Sequence, residues 1–486
     1  MPQLSYLRKL ILIAVRQSMI RTALIFIILF FFGQHPARPV TISGSDSAYA
    51  GVEIIWLKAA DPFTATEVEV ARTTFDAKGR LHVEFSLDHT GFIYCYLGIY
   101  RTYLYVEKGK EYEVVLPPRK DMKDEDKLNP FFRHIETHLA LKNADKRDLN
   151  IQIRMFNDSF YPYFAKHNEK VFSDDLEFDQ LDQDIIQLDK PFSKSANSYF
   201  NNYRKYKYGL LRFIAYQHKS KSVSDIYFKN QAFLPDNPAY VELFNMVYEG
   251  YFEHFSRTEH GKLLAPAIAS KRLSEVQRVL AHDEVLQPAE LLNMVMLRCL
   301  HDEFYDDNYS RSSMLAIVDS LIAVTENELL LTTAISIREK VTKLLVGFEP
   351  PPFELYDMDS NLVSLETFKG KFIYLNFCSC FSYTCLNEFV MLQNLHNKHN
   401  KYLEIVTVVI DDDVQVMKDF VNRSGYPWTF LHFDNQPDIF REYDVRVFPT
   451  YYLIDNEGKL SMSPAPAPAE EFEGRLFKVL RAKGIL

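Results

Sequence analysis

The sequence predicts a multidomain chain in which a small β-rich unit and an all-α helical region precede a C-terminal α/β domain. Three observations carry this reading. The chain has 486 residues, and a single hydrophobic core rarely grows beyond about 250–300. The hydrophobic pattern changes period twice: short aromatic and β-branched runs give way to helical spacing near Asn129, and alternating strands and helices follow Gly347. Pro350-Pro351-Pro352 marks the second change, because consecutive prolines stop a helix and hold the chain extended. The expected division is a leader over 1–50, a β-rich unit over 51–119, a helical region over 129–346 and an α/β domain over 347–486.

Composition narrows the function classes. Hydrophobic residues are 47% and charged residues 25% of the chain, the balance of a globular protein. Scarce glycine (16) beside 38 Phe and 29 Tyr excludes a collagen-like or low-complexity chain. A net charge of −10, with no basic cluster beyond the first residues, argues against a nucleic-acid binder. Five cysteines are too few for a disulfide-stapled scaffold, but a local cluster keeps a redox or metal role open.

The N-terminus has the plan of an export signal. Arg8, Lys9, Arg16 and Arg21 precede the apolar run Ala23–Phe32, and the first acidic residue is Asp46. The run is shorter than the roughly 20 residues of a spanning helix. Counting Leu10–Val15 lengthens it, so residues 10–33 are a candidate membrane anchor, although Arg16, Gln17 and Arg21 interrupt. Ala48-Tyr49-Ala50 has the small-x-small form that a signal peptidase accepts, and no cysteine follows the run to support a lipoprotein anchor. A buried N-terminal helix is the alternative, disfavoured by the cost of burying the flanking charges.

Val68–Phe75, Leu81–Leu87, Phe92–Tyr100, Tyr103–Val106 and Tyr112–Leu116 read as strands of a small sandwich or barrel. Cys95 lies in one of them with no second thiol nearby and reads as core. In the helical region, Leu292, Val295, Met296, Cys299 and Leu300 share one stripe after Pro288, so Cys299 also reads as core. Tyr199–Tyr208 alternates aromatic and basic residues. That could serve single-stranded nucleic acid, but an amphipathic helix packing its tyrosines is the better reading in an acidic chain. The scattered histidines form no metal-ligand spacing, so no metal and no cofactor is expected.

In the C-terminal domain, Lys371–Phe377 is a buried strand, followed by cysteines at 378, 380 and 385 and a helix over Thr384–Leu395. Further elements are strand Tyr402–Ile410, helix Val414–Val421, strand Trp428–Phe433, helix Pro437–Tyr443, strands Tyr451–Ile454 and Lys459–Met462, and helix Glu470–Ala482. Asp411–Asp413 precede the second helix. They read as its cap rather than as a cation site.

These landmarks resemble the thioredoxin superfamily, in particular TlpA/ResA-like thiol–disulfide oxidoreductases of bacterial envelopes with an AhpC/TSA-type domain. The resemblance covers about residues 347–486. It rests on Pro352-Phe353-Glu354-Leu355, Phe368-Lys369-Gly370-Lys371, Leu375-Asn376-Phe377, Glu388, Asp411, Val447-Phe448-Pro449-Thr450 and Leu453-Ile454-Asp455. Residues 51–346 look like the region that precedes this domain in many Bacteroidetes TlpA-like proteins. The resemblance implies a thioredoxin-like fold, a protein or peptide thiol/disulfide partner, and a cis-proline at Pro449 beside the cysteine loop.

The chain departs from the family at the centre of the site. The family's loop has the form N-F-W-A-S-W-C-x-x-C-x-x-E. Laid without gaps, Asn376-Phe377 and Glu388 match its ends, Cys385 takes the second cysteine position and Ser382 the first. A serine hydroxyl does not ionise near pH 7, so SxxC cannot run an ordinary dithiol cycle. Asn376 also stands where classical thioredoxins have a buried acid. Three redox arrangements remain: Cys380 pairing with Cys385; Cys378 pairing with Cys380, at about 7 Å on an extended chain and near the limit for a disulfide; or Cys385 alone. A peroxiredoxin-like peroxidase also has Thr or Ser three residues before its cysteine, but the proline it carries seven residues before that cysteine is here Cys378. The remaining reading is a redox-inactive binding module. With no basic residue in the loop, a helix-terminus effect of about 0.3–1 kcal/mol and burial acting against it, the Cys385 thiol is expected near its ordinary pKa and its activity weak.

Overall fold

In a computed structural model of the chain, residues 38–486 are described apart from 128, 130, 131, 143, 173–177, 216–218, 412, 435 and 437. The candidate anchor over residues 10–33 lies outside the described residues. Among those described, no helix is long and apolar enough to cross a membrane.

The first unit holds strands β1 (Val40–Ser45), β2 (Glu53–Ala59), β3 (Glu67–Thr74), β4 (Arg80–Phe85), β5 (Gly91–Leu97), β6 (Tyr100–Val106), β7 (Glu111–Val115), β8 (Ile135–His138) and β9 (Ala140–Leu141). They form two sheets, β4-β1-β7-β9 and β3-β2-β5-β6-β8. In β4 and β7 burial alternates residue by residue, so one face meets the core and the other meets water. Val40, Ile42 and Tyr112 of one sheet share a core with Trp56, Ile93, Cys95 and Leu104 of the other, which makes the unit a sandwich.

Two boundaries move. The expected leader over 1–50 contains β1, which pairs with β4 on one side and β7 on the other. Tyr49 of Ala48-Tyr49-Ala50 is buried and donates its hydroxyl to Pro117 O at 3.0 Å. Cutting after Ala50 would remove an inner strand, so the β-rich unit takes in residues 40–50. The expected helical region from 129 begins with two strands, β8 and β9. They are short and lack a buried face of their own, so they carry too little alternation to be read from sequence.

Helices then run from α1 (Leu149–Phe172) through α2 (Ser198–Ala215) and α3 (Ala289–Asp302) to α4 (Glu328–Thr342). In α3 the expected stripe is buried, and Leu291, Met294 and Leu297 are buried with it. A helix apolar on nearly every side is an inner helix. In α2 the basic residues Arg204 and Lys207 are buried together with Tyr203, Tyr206 and Tyr208. Lys207 Nζ meets Glu242 Oε2 at 2.6 Å and the Tyr161 hydroxyl at 3.0 Å. The segment is core and offers no basic face.

The last unit holds β10 (Glu354–Asp357), β11 (Leu362–Ser364), β12 (Phe372–Cys378), β13 (Leu403–Val409), β14 (Thr429–His432), β15 (Thr450–Ile454) and β16 (Leu460–Ala465), with helices α5 (Tyr383–His399), α6 (Val414–Ser424), α7 (Asp438–Glu442) and α8 (Phe472–Ala482). The sheet order is β11-β10-β14-β13-β12-β15-β16. β12, β13 and β14 are parallel and β15 runs antiparallel to β12. Every residue of β12 is buried, as expected of a strand covered on both faces. Its side chains alternate: Phe372, Tyr374 and Cys378 join the core with Phe389, Leu392 and Phe472, while Ile373, Leu375 and Phe377 join the core with Ile439, Phe440 and Tyr443. This parity places Cys378 on the α5 face.

Candidate thiol site at the β12–α5 junction

Strand β12 ends at Cys378, a short loop follows, and α5 begins at Tyr383. Asp411, just beyond β13, holds the loop. Its carboxylate accepts from Ser379 Oγ and from the Cys380 backbone N–H, each at 2.6 Å. Of the expected capping residues, Asp413 is the N-cap and accepts from Gln415 N at 2.8 Å, and Asp412 lies outside the described residues. Asp411 instead pins the cysteine loop to the neighbouring strand, because the register pairs Cys378 with Val409 and brings the two strand ends together.

Ser382 is the N-cap of α5, and its Oγ accepts from the Cys385 N–H at 3.4 Å. Cys385 therefore lies in the first turn, three residues after the cap, where free N–H groups and the helix dipole favour a negative charge. All five cysteines of the chain are free and buried.

Three groups lower the Cys385 thiol. The Cys378 S–H is the strongest influence, and the Ser382 hydroxyl and the Ser379 backbone N–H add to it. Burial and the Asp411 charge oppose them, and the balance lowers the thiol from 9.0 to about 7. The expectation of an ordinary pKa is thereby corrected. It counted the dipole and the missing basic residue but not donors arriving from the preceding strand and loop.

Cys378 moves the other way. Burial raises its thiol well above the ordinary value, and donating its proton to Cys385 raises it further. Burial also raises Cys380, with the Asp411 carboxylate adding to the effect through a hydrogen bond and its charge. So the thiol that acts most on Cys385 is that of Cys378, while the Cys380 backbone is held by Asp411. All three thiols of the loop are reduced and share one core. Period-two counting along Phe372, Tyr374, Asn376 and Cys378 is the signal that could have shown the placement of Cys378.

Two buried polar atoms near this pair have no hydrogen-bond partner, Glu388 Oε2 and the Tyr451 hydroxyl. Burial raises the Glu388 carboxyl, and the Tyr451 phenol is raised by burial and by the charges of Cys378 and Glu388. The Phe448–Pro449 bond is cis. Pro449 precedes Thr450, which pairs with Phe377, so continuing the register sets Pro449 opposite Cys378. Around the loop, Phe381, Tyr383 and Val447 are exposed. Among the described residues no group of three His, Cys, Asp or Glu side chains could hold a metal ion.

A central sheet carrying a capped helix after its middle strand, with a cysteine in that helix's first turn and a cis-proline before the antiparallel neighbour, defines a thioredoxin-like domain. Residues 345–473 match the Redoxin family. Thiol-disulfide oxidoreductase ResA of Bacillus thuringiensis (strain Al Hakam) is 30% identical over 139 residues, 28% of this chain and 80% of that protein. ResA of Bacillus subtilis (strain 168) is 31% identical over 116 residues, 24% of this chain and 64% of that protein. The chain belongs to the ResA-like thiol–disulfide oxidoreductase family. Among solved structures, the thioredoxin domain of a thiol-disulfide oxidoreductase from Bacteroides vulgatus is 24% identical, covering 28% of this chain and 99% of that one with a TM-score of 0.26. A thiol:disulfide interchange protein from Bacteroides sp. is 25% identical, covering 29% and 92%, with a TM-score of 0.26.

Proposed function

We propose that this is an exported, diverged thiol–disulfide oxidoreductase that acts through Cys385, with Ser382 standing where the family has its first cysteine. The observation that carries this reading is a fully buried thiol held near neutrality by converging donors. A thiol that only fills space is pushed up by burial, whereas that of Cys385 is lowered to about 7. The thiolate is the attacking species in disulfide exchange. Ser382 takes no covalent part: its hydroxyl caps α5 and donates to the sulfur. The partner is a protein or peptide disulfide, and exposed Phe381, Tyr383 and Val447 offer it apolar contact beside the site. Export rests on the basic, acid-free start before Ala23–Phe32, and a cleaved leader would end before Val40. The divisions of the chain proposed on the same reading are a β-rich unit from 40, helices to 346 and the thioredoxin-like domain from 347.

One observation favours a redox-inactive binding module instead. The groups that stabilise Cys385 also cover it, leaving the residue 0% exposed. Alkylation of the full chain with iodoacetamide across pH 5–10 separates the two readings. Modification of Cys385 with a midpoint near 7 supports the oxidoreductase. No modification below the pH at which the fold is lost supports the module. Detection of the full-length chain in the cytosol after cell fractionation would rule out export.

A further inference from the structure

We infer that Cys378 is the second redox thiol of this domain and closes a disulfide with Cys385 across the junction between β12 and α5. This deepens the reading above and rests on it, since it takes Cys385 as the nucleophile. Three observations place the pair. The parity of β12 directs Cys378 to the face that α5 covers, into the same core as Cys385. Each of the two thiols shifts the other's proton affinity, and with both side chains in one core, rotation brings the sulfurs towards the bonding distance of about 2.05 Å. The third possible partner is held elsewhere, with the Cys380 N–H fixed to the Asp411 carboxylate at 2.6 Å and the same carboxylate raising its thiol.

The burial of Cys378 then has a use. Both sulfurs are buried, but Cys385 lies in the first turn of α5 flanked by exposed Tyr383 and Leu386, whereas Cys378 ends an inner strand, so an external disulfide meets Cys385 first. The Cys378 thiol then resolves the bond made at Cys385. The surroundings also differ from those of an inert core cysteine. Glu388 Oε2 and the Tyr451 hydroxyl are buried without hydrogen-bond partners, and the groups act on one another through their charges, Glu388 raising Cys378 and Cys378 raising Tyr451.

The exchange balances in atoms and electrons. The Cys385 thiolate attacks one sulfur of the partner's disulfide. A mixed disulfide forms and the partner's other sulfur leaves as a thiolate, which takes up the proton Cys385 had released. Cys378 then attacks the Cys385 sulfur, the Cys378–Cys385 bond forms, and the partner's first sulfur leaves and takes the Cys378 proton. One partner disulfide is reduced to two thiols and the domain's two thiols are oxidised to one disulfide. The relation to the family is a change of partner: the second thiol comes from the strand rather than from the helix cap.

The test uses the full chain and oxidised glutathione as the disulfide. After acid quenching and alkylation, chymotryptic cleavage at Phe381 or Tyr383 separates Cys385 from the other two thiols, and fragmentation between Ser379 and Cys380 separates those. The expected wild-type product is a Cys378–Cys385 bond with little retained glutathione. In Cys378→Ala, glutathione should stay on Cys385. The wild-type map stands without the variant, should that variant fold poorly. A bond from Cys385 to Cys380, or an equally stable glutathione adduct with and without Cys378, would overturn this inference while leaving Cys385 as the nucleophile. No adduct and no bond at Cys385 in any form would overturn both readings.

Discussion

Cys95 in the β sandwich and Cys385 at the head of α5 are both 0% exposed, yet their thiols are driven in opposite directions. Burial pushes Cys95 up to about 12, and its one polar contact, Thr102 Oγ1 at 3.0 Å, lowers it too little to matter. Cys385 is lowered to about 7. The difference lies in the backbone around each sulfur. Cys95 sits in the middle of β5, where backbone groups of the ladder are spent on β6. Cys385 sits in a helix's first turn, where N–H groups are free, and a strand end and a loop deliver further donors. Cys299 in α3 follows Cys95, raised chiefly by burial. Burial by itself makes a thiol inert, and the direction of nearby donors decides whether it is kept so.

The largest effect expected from this contrast is in reactivity. Thiols at about 12 and about 7 differ by roughly five powers of ten in ionised fraction at pH 7. With a small alkylating reagent at that pH, the native chain should modify Cys385 alone, and Cys385→Ala should modify nothing until denaturant is added. Labelling of Cys95 in the folded protein at a rate comparable to that of Cys385 would break the contrast.

Replacing the cap sharpens it. Ser382→Cys sets a thiol at the N-cap with Cys385 three residues on, the spacing of the family's CxxC. A disulfide between the introduced thiol and Cys385, and a gain of at least about tenfold in insulin reduction, are expected, since a thiolate replaces a hydroxyl that cannot attack. If no such bond forms, Ser382 does not occupy the family's first cysteine position.

Most of this unit was legible in the sequence, because buried parallel strands and capped helices have distinct periods. The strand expected over Lys371–Phe377 is observed over Phe372–Cys378, and Cys385 lies in the first turn of the helix expected over Thr384–Leu395. Three things were hidden for physical reasons. Val40–Ser45 is an inner strand, yet its sequence VTISGS is short and half polar, and next to an export-like run it reads as leader. The Cys378–Cys385 contact depends on strand parity combined with the approach of a helix, and spacing along the chain favours the nearer cysteine. The role of Asp411 was missed because an aspartate before a helix normally reads as a cap, while the side chain here turns back to Ser379 and Cys380.

A smaller effect is expected in stability against pH. The Cys385 thiol is lowered in the folded chain from 9.0 to about 7, so its contribution is fully present above about 9 and is lost as pH falls through 7. Between pH 6 and pH 8 the C-terminal unit should gain about 1 kcal/mol from this group. Cys95 acts in the reverse sense and higher up: raised to about 12, it contributes below about 9 and its share is lost as pH rises towards 12. Urea unfolding of the wild type and Cys385→Ala at pH 6 and pH 8 reads the first effect. An unchanged gain in Cys385→Ala would assign it to another group.

The smallest effects are the most discriminating, because they have opposite signs at the same sulfur. Ser382 donates to Cys385 and lowers its thiol, while the Asp411 charge raises it and is the weakest of the influences named. Ser382→Ala should therefore raise the alkylation midpoint of Cys385. It should also cost about 1 kcal/mol of stability, since the Cys385 N–H loses its cap. Asp411→Asn keeps an oxygen for the loop N–H but removes the charge, so the midpoint should fall by less than Ser382→Ala raises it. Cys95, far along the chain and held only by Thr102, should not respond to either change. If both substitutions move the Cys385 midpoint in the same direction, loop disorder rather than donor geometry controls the thiol. The contrast with Cys95 would then be one of exposure after all.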